Sequence, residues 1–383
     1  MEPVPSKMRG IEVHETNMEI KTRIQRLSQR HAIASLKSDH PLQKLSESDI
    51  TLILQLLDTN GRISYSQYKS IINSEKSTIP TEVFSPSLFY QLPLYSDNDY
   101  WVRTSDVDNY LREYYFITSL YGSILEYCKE SVNSITNEEL IQFINTTIRS
   151  ISITSILTSQ FLQFYTTHVH LSLLFFEDRN EHEPIPLIPL ILSDSMRNYM
   201  SQSDTYIGYL HLSTSTNWFT PETAFKIYAQ FTELDSNKDG LLSWKDIIPL
   251  NGGKLIPSFA KNVIKLLGSG NGLNYELYLR LMLAYSHLHL QQAQQIIFEL
   301  LDKDHKGYLT QDEIKGFIEE SIQIMAPPIH ITSENYTQDI FDHIHPQHPN
   351  QITLTDLVRS GSAEEILQNL INSYSFKIKV GNK

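Results

Sequence analysis

The sequence predicts an all-α protein built from tandem pairs of helix–loop–helix units that touch through short strands. Two observations carry this prediction. First, residues 225–250 read as an amphipathic helix, a loop with oxygen-bearing side chains at alternate positions, and a short second helix. Second, loop-like segments with an apolar residue at their eighth position recur along the chain. Recurrence of one small unit is typical of repeat architectures, in which neighbouring units bury each other's apolar faces.

The loop at residues 235–246 has the ligand spacing of an EF-hand calcium site. Gly240 stands at position 6, where the sharp turn favours a residue without a β-carbon. Calcium is a hard cation that takes about six to eight oxygen ligands, and alternate oxygen side chains can wrap around it. The candidate ligands, at positions 1, 3, 5, 7, 9 and 12, are Asp235, Asn237, Asp239, Leu241 through its backbone carbonyl, Ser243 and Asp246.

The helix before this loop supports the assignment, whereas the residue that closes the loop weakens it. Apolar residues stand at every third position from Phe225 to Leu234, and Thr220 followed by Pro and Glu is a typical helix start. The closing Asp246 is shorter than the usual Glu, which binds the ion through both oxygens. We therefore expect calcium here, weakened relative to magnesium. The alternative is a solvated acidic loop.

A second loop, residues 302–313, has the same spacing with one conflict. Lys306 stands at position 5, where an oxygen ligand is needed, and its ammonium repels a cation unless the stem swings outward. We expect calcium to be weaker here than in the first loop, and a loop closed by its own hydrogen bonds is the favoured alternative. The candidate ligands are Asp302, Asp304, Tyr308, Thr310 and Glu313.

Two degenerate loops, residues 266–277 and 345–356, keep the apolar eighth position without a plausible set of metal ligands. EF-hands work in pairs whose loops make a short strand contact at that position. The spacing predicts two such pairs, each with one recognisable and one degenerate member. Their position-8 residues are Leu242, Leu273, Leu309 and Ile352.

Three weaker copies of the loop occur in the first half, at residues 56–67, 95–106 and 178–189. The first has Leu56 and Gln67 where the terminal carboxylates belong, the second begins with Tyr95, and the third ends in Pro189. We interpret all three as vestigial EF-hands that keep the helix packing without the ion. Their position-8 residues are Ile63, Val102 and Ile185. The ligand-type residues still in register are Asp58, Asn60, Asp97, Asp99, Asp106, Asp178 and Asn180.

These patterns divide the chain into four segments. A basic helix at residues 18–36 is either a solvated face or a docking surface for an acidic partner or membrane. Residues 162–176 are predicted to be a core helix, whereas residues 146–160, rich in Ser, Thr and Ile, fit either a helix or a strand. The predicted segments are an N-terminal arm (1–45), a helical module with vestigial EF-hands (46–205), an EF-hand module with two recognisable loops (206–375) and a tail (376–383).

Composition restricts the class of protein. The chain has 383 residues, of which 40% are hydrophobic and 20% charged, as in folded soluble proteins. Its net charge of −13 disfavours a nucleic-acid partner. The single Cys128 excludes an internal disulfide and fits a reducing compartment. The most apolar run, residues 185–192, is too short to cross a bilayer, and the start has no signal-peptide core. We expect a soluble intracellular protein without a membrane span.

The sequence gives little support for catalysis or for a zinc site, and we predict that the chain is not an enzyme. It contains no phosphate-binding, nucleophile-elbow or dinucleotide motif. Cys128 lies in a helical pattern and is interpreted as a buried structural thiol. The cluster of His343, His345 and His348 lacks the spacing of a zinc finger and is accounted for by a degenerate loop. His168, with His170, is expected to follow helix packing.

The second half resembles the B″ family of regulatory subunits of the type 2A serine/threonine protein phosphatase. The resemblance is strongest for the gamma branch, which includes plant TONNEAU-type proteins. It covers roughly residues 50–375 and is strongest from residue 214 onward. The motifs that carry it are Thr216-Asn217-Trp218-Phe219, Tyr228-Ala229-Gln230-Phe231 leading into LDSNKDGLLS, IIFELLDKDHKGYLT, Asp339-Ile340-Phe341-Asp342 with ITLTDL, and YWVRTSDVDNYL in the first half.

The resemblance implies a non-catalytic subunit that binds the HEAT-repeat scaffold subunit and the catalytic subunit. Such a subunit directs the phosphatase to substrates or to centrosomal, microtubular or nuclear sites. The calcium-binding positions of the family correspond to the candidate ligands of the first loop, where Asp246 stands in place of the usual Glu. The rival reading is a stand-alone calcium sensor or cytoskeletal EF-hand protein, although few imperfect sites in a chain of this length argue against a buffer.

Overall fold

The structure is a computed structural model, and helices dominate it. Its strands are short and antiparallel, so the predicted all-α fold class is confirmed. The motif residues Asp58, Asn60, Asp97 and Thr216, with residues 152–157 of the undecided segment at 146–160, lie outside the described residues. The described ranges are 16–37, 45–57, 61–72, 83–96, 99–151, 158–204, 206, 217–250, 255–324 and 332–373.

The helices of these ranges agree with the predicted starts and ends where the sequence signals were strong. The basic helix, the aromatic core helix and the helices that enter the two recognisable loops all form. None of the described helices combines the length and the apolar character that crossing a bilayer requires. The helices are α1 (Asn17–Leu36), α2 (Glu47–Leu56), α3 (Tyr65–Ile72), α4 (Pro86–Gln91), α5 (Thr104–Leu125), α6 (Asn137–Ile148), α7 (Ser159–Phe176), α8 (Leu187–Leu192), α9 (Asp194–Met200), α10 (Pro221–Leu234), α11 (Trp244–Ile247), α12 (Pro257–Leu266), α13 (Tyr275–Ser286), α14 (Gln291–Leu301), α15 (Gln311–Ile324), α16 (Ser333–Ile344), α17 (Leu354–Ser360) and α18 (Ala363–Ile371).

The strands are the contacts between loops. In three antiparallel pairs, residues at position 8 of two loops face each other. The strands are β1 (Arg62–Ser64), β2 (Tyr95–Ser96), β3 (Tyr100–Arg103), β4 (Ser134–Ile135), β5 (Ile185–Pro186), β6 (Tyr308–Thr310) and β7 (Gln351–Thr353).

The chain divides into two compact units, and the first comprises residues 1–152 and 181–215. Its longest helix, α5, is extensively buried, and α1 packs along it. The Ser28 hydroxyl of α1 donates a 2.9 Å hydrogen bond to the Tyr110 carbonyl. Arg197 of α9 makes two hydrogen bonds of 2.8 and 2.6 Å with Glu113, and both side chains are nearly buried. A buried carboxylate needs such a partner, because an unpaired charge in the core is costly.

Loop pairing in the first unit involves the eighth position of all three predicted vestigial EF-hands and adds a fourth loop that sequence reasoning missed. Ile63 pairs with Val102, as their equivalent positions predict. Ile185 pairs with Ile135, so residues 128–139 form another loop of the same kind. That loop keeps a hydroxyl at position 9 and Glu139 at position 12. The signal was present in the sequence as an apolar residue followed by Thr and, three residues later, Glu.

This additional loop corrects the prediction for Cys128. We expected a buried thiol within a helix, but α5 ends at Leu125 and Cys128 is half-buried at the first position of the loop. Its thiol donates a 3.5 Å hydrogen bond to the Ile124 carbonyl, and partial burial raises the pKa of the thiol. The group is therefore less reactive than a free thiol, because a raised pKa lowers the thiolate fraction.

The second unit comprises residues 153–180 and 216–383, and it includes α7. We predicted a module boundary near residue 205 and did not anticipate that α7 would pack with later helices. The reason is visible at the TNWF motif. Trp218 and Phe219 lie against α7, where the Tyr165 hydroxyl donates to the Phe219 carbonyl at 2.8 Å and His168 Nε2 donates to the Trp218 carbonyl at 2.9 Å. The Trp218 indole N–H in turn donates to Ser172.

Four loops in the second unit form the two predicted pairs. Leu242 and Leu273 exchange backbone hydrogen bonds of 2.9 and 3.0 Å, and Leu309 faces Ile352 across β6 and β7. All four side chains are fully buried in one apolar core. Gly272 is required beside the first contact, because its φ of 113° is left-handed and a β-carbon would lie 3.1 Å from the Leu242 carbonyl oxygen.

Candidate metal centre

The first loop has the backbone shape that the EF-hand pattern predicts. α10 begins at Pro221 with Thr220 as its cap, since the Thr220 hydroxyl accepts a 3.1 Å hydrogen bond from the Thr223 amide. After α10 ends, Lys238 and Gly240 adopt left-handed φ angles of 59° and 81°. These two reversals turn the chain around a centre toward which alternate side chains can point.

Asp235, at position 1, is the best-prepared ligand of this loop. Its side chain is 8% exposed, and Oδ2 accepts a 2.9 Å hydrogen bond from the Gly240 amide. The other oxygen, Oδ1, is buried and has no hydrogen-bond partner. Because buried acceptors are nearly always satisfied, an unpartnered carboxylate oxygen at this position fits a hard cation.

The remaining ligand residues are engaged with one another. The Asn237 amide donates to Asp239 Oδ2 at 2.9 Å, and Asp239 Oδ1 accepts from the Leu241 amide at 2.8 Å. Asp246 Oδ2 accepts from the Ser243 amide at 2.8 Å and from its hydroxyl at 2.6 Å. Throughout the described ranges, no group of three or more His, Cys, Asp or Glu residues is arranged to hold a metal ion. The donor set suits calcium chemically, and its oxygens are held by loop hydrogen bonds.

The second loop repeats this backbone closely. His305 and Gly307 have left-handed φ angles of 54° and 79°, at the same loop positions as the corresponding pair in the first loop. Asp302 is 3% exposed, its Oδ2 accepts a 2.6 Å hydrogen bond from the Gly307 amide, and its Oδ1 has no hydrogen-bond partner. The loop therefore folds as an EF-hand loop despite the lysine at position 5.

Lys306 points into the second loop, not outward. Its Nζ lies 2.5 Å from Glu313 Oε1 and 3.9 Å from both Asp302 Oδ1 and Asp304 Oδ2. The hydrogen bond to Glu313 raises the pKa of Lys306, so the ammonium remains charged at neutral pH. Burial alone would raise the pKa of Glu313, but hydrogen bonds from Lys306 and Thr310 outweigh it and lower that pKa. In this arrangement the residues of the second loop do not fit calcium.

The residue at loop position 12 holds the loop through hydrogen bonds, whereas the sequence analysis assigned it to metal binding only. In each of five loops, the position-12 side chain accepts hydrogen bonds from the backbone amide of position 9. The hydroxyl of position 9 also lies close to the position-12 amide or carboxylate, which completes a capping box for the following helix in most of them. Because capping contributes typically about 1 kcal/mol, these residues are useful without an ion. The pairs are Ser64 and Gln67, Thr136 and Glu139, Ser243 and Asp246, Thr310 and Glu313, and Thr353 and Asp356.

Among the described residues, His343, His345 and His348 do not form a cluster that could hold a metal ion. His343 Nε2 lies 2.7 Å from the Ser362 hydroxyl, and the His345 carbonyl accepts a 3.1 Å hydrogen bond from Arg359. The His168 imidazole is fully buried and stacks on Trp218. The His343 ring is thus explained by a hydrogen bond and the His168 ring by packing.

Comparison with known proteins also finds an EF-hand pair in the second half of the chain. Residues 280–321, which include the second loop, match the family model of an EF-hand domain pair. The B″ gamma regulatory protein of serine/threonine-protein phosphatase 2A from Danio rerio is 24% identical over 84% of this chain and 71% of the relative. The probable B″ regulatory protein TON2 of the same phosphatase from Arabidopsis thaliana is 22% identical over 56% of this chain, and the match spans about half (47%) of that relative.

A solved structure shares the fold. A chain of a PP2A PR70 holoenzyme, described as di-Ca, matches with a TM-score of 0.53 and 19% identity, covering 67% of this chain and 96% of that chain. The sequence relatives confirm the resemblance that the motifs predicted. The chain is a divergent homologue of the B″ regulatory subunits of protein phosphatase 2A.

Proposed function

We propose that this chain is a non-catalytic regulatory subunit of protein phosphatase 2A. It binds the scaffold and catalytic subunits and directs substrate choice or location. The observation that carries the proposal is the breadth of the sequence match, because the B″ gamma relative aligns over 84% of the chain and not over the EF-hand pair alone. A generic EF-hand protein would align only through its loops.

The chemistry of the described residues supports a binding role. Two buried titratable side chains have structural partners: Arg197 pairs with Glu113, and the Trp218 carbonyl accepts a hydrogen bond from His168. The paired helix–loop–helix units present folded helical surfaces, which suit a subunit that holds other proteins.

Reconstitution tests this proposal. The full chain is mixed with purified scaffold and catalytic subunits and passed over a size-exclusion column, with an unrelated acidic EF-hand protein as the control. We expect this chain to elute with both subunits and to change the rate at which they hydrolyse a phosphopeptide, while showing no hydrolysis alone. Separate elution would contradict the proposal and leave the stand-alone calcium-binding reading.

We propose further that calcium binds at the first loop. Asp235, Asn237, Asp239, the Leu241 carbonyl, Ser243 and Asp246 would hold it, and the ion would tie α10 to α11. The unpartnered buried oxygen of Asp235 supports this assignment. The ion's chemistry there is electrostatic, since calcium neutralises the clustered carboxylates.

Calorimetry tests the calcium site. Asp235→Ala should abolish the calcium binding heat of the wild-type chain, because the buried anchoring carboxylate is lost. Asp339→Ala, which removes an exposed carboxylate on α16, is the matched control and should leave the heat unchanged. Equal heats in wild type and Asp235→Ala would remove the first loop as the site.

The proposed function also includes a location in the cell. We propose a cytoplasmic protein with centrosomal, microtubule-associated or nuclear pools, as the resemblance implies. Imaging of the tagged full chain in its native cell, with and without depolymerised microtubules, tests this. A uniform distribution unaffected by that treatment would contradict the microtubule-associated pool.

A further inference from the structure

The two recognisable loops are a natural matched pair. They share left-handed backbone at positions 4 and 6, and in both the position-1 aspartate accepts a hydrogen bond from the position-6 amide. They differ at position 5, where the first loop has Asp239 and the second has Lys306. The second loop therefore shows what one basic side chain does inside an otherwise complete EF-hand backbone.

The Lys306 ammonium lies among three loop carboxylates. It is bonded to Glu313 at 2.5 Å and lies 3.9 Å from an oxygen of Asp302 and of Asp304. Those residues are loop positions 12, 1 and 3, which supply side-chain oxygens to calcium in an EF-hand. The Lys306 side chain is only 26% exposed, so its charge is partly shielded from water by the loop.

A half-exposed cation on α17 lies beside the partner loop as well. Arg359 Nη2 lies 2.8 Å from Asp356 Oδ1 and donates a 3.1 Å hydrogen bond to the His345 carbonyl. His345 and Asp356 are the first and last positions of that loop, so Arg359 joins its two ends. The Asp356 side chain is 3% exposed, which makes a compensating charge necessary.

The contact between these two loops is also more extensive than in the first pair. β6 and β7 pair over three residues on each strand, whereas the first pair meets through a single bridge at Leu242 and Leu273. A longer paired segment fixes the relative position of the two loops through more backbone hydrogen bonds. The pair that contains Lys306 thus has the longer strand contact.

We propose that Lys306 is a built-in cation that takes the place of calcium in the second loop. It stabilises this loop without metal and prevents calcium from entering residues 302–313. The ammonium supplies up to three hydrogen-bond donors to oxygens that would otherwise face an ion, and it repels a divalent cation from the same space. This proposal is independent of any role in a phosphatase complex.

Calcium titration of the full chain tests it in an Asp235→Ala background, in which the first loop is disabled. The Asp235→Ala chain should show no calcium binding by calorimetry. Adding Lys306→Asn, which places an oxygen at position 5, should create one calcium site per chain. Adding Asp302→Ala to that variant should abolish the new site. Calcium binding by the Asp235→Ala chain that is lost with Asp302→Ala would overturn the proposal.

Melting in a metal chelator tests the stabilising half of the proposal. Lys306→Met removes the charge but keeps a long stem, and it should lower the melting temperature by roughly 2–4 °C. Lys303→Met is the matched control, because Lys303 is exposed at position 2 of the same loop and loses the same charge. It should leave the melting temperature unchanged. Equal melting of the two variants, or a folded Lys306→Asn variant without a calcium site, would also refute the proposal.

Discussion

Removal of Asp356 is the sharpest test of the idea that position-12 acids hold the loops together without metal. The Asp356 carboxylate is buried, and it accepts hydrogen bonds from the Thr353 amide at 3.1 Å, the Thr353 hydroxyl at 2.7 Å and the Gln347 amide at 3.4 Å. It also pairs with Arg359. Asp356→Ala removes the acidic half of the capping box, although the Thr353 hydroxyl still caps α17, and it takes the acceptor away from partly buried donors of Thr353 and Gln347.

The magnitude follows from these contacts. Losing that half of the capping box costs up to about 1 kcal/mol, and each hydrogen bond lost from Thr353 or Gln347 costs about 0.5–1.5 kcal/mol net. The half-exposed Arg359 pair adds little, because exposed ion pairs are typically worth about 0–1 kcal/mol. We therefore expect a loss of about 2–3 kcal/mol, which corresponds to a fall in melting temperature of roughly 5–10 °C for a unit of this size.

The assay is urea unfolding followed by circular dichroism, with and without calcium. The loss should be the same in both conditions, because the cap does not involve the ion. Asp339→Ala, an exposed change on the neighbouring helix, should alter stability by less than about 0.5 kcal/mol. A loss for Asp356→Ala below about 0.5 kcal/mol, or one seen only with calcium, would refute the capping argument.

The pH dependence of the same contact has a defined sign. Burial raises the pKa of Asp356, but hydrogen bonds from Thr353 and Gln347 and the nearby Arg359 together lower it below its usual value of 3.8. A folded-state pKa below the unfolded value means that this contribution is fully present above the unfolded pKa. It is lost as the pH falls below 3.8 through the folded-state pKa, and Asp356→Ala should remove that part of the acid sensitivity.

Further predictions concern side chains in both units. Asp106→Asn should stabilise the fold by about 1 kcal/mol in urea unfolding, because Asp106 is 4% exposed, one oxygen lacks a partner and burial raises its pKa; an unchanged or lower stability would contradict this. Burial lowers the pKa of His168 to about 4, so stability should fall as the pH drops from 6.5 toward 4, and His168→Gln should flatten that slope. Leu309→Ala should cost about 2–5 kcal/mol, since the side chain is fully buried at a loop contact; a cost below about 1 kcal/mol would argue against the pairing. Arg197→Met should cost about 3–5 kcal/mol by leaving Glu113 unpaired, and the added change Glu113→Gln should recover part of it.

Most of the fold could be predicted because EF-hand loops carry their signal in local spacing. Position 8 is apolar in every loop, and that residue decides which loops pair, so Leu242 with Leu273 and Leu309 with Ile352 followed from spacing alone. Capping residues at Thr220 marked the start of α10 correctly. These features need no knowledge of distant contacts.

The features that were missed depend on contacts distant in sequence or on side-chain direction. Residues 128–139 escaped notice because their early positions hold Cys128, Glu130 and Val132 in place of a ligand series, and only the pairing of Ile135 with Ile185 reveals the loop. The sequence did not decide whether the Lys306 side chain points into the loop or away from it, because its long stem can reach either side. Three carboxylates lie on the inner side of the loop, and none of them has another basic partner in the described ion pairs. They therefore draw the Lys306 ammonium inward.

The assignment of α7 to the second unit also required distant contacts. A stretch of aromatic and apolar residues predicts a core helix but not which core it joins. The Trp218 and Phe219 carbonyls fix that choice by accepting hydrogen bonds from His168 and Tyr165, about 50 residues earlier in the chain.

Hydrogen exchange of the full chain in a metal chelator tests most directly whether these loop pairs fold without ions. We predict slow exchange at the loop contacts around Ile63, Ile135 and Leu309, with little change when calcium is added. A moderate gain in protection is expected only near Leu242, where the proposed calcium loop lies. Fast exchange at all of these contacts until calcium is supplied would contradict the account.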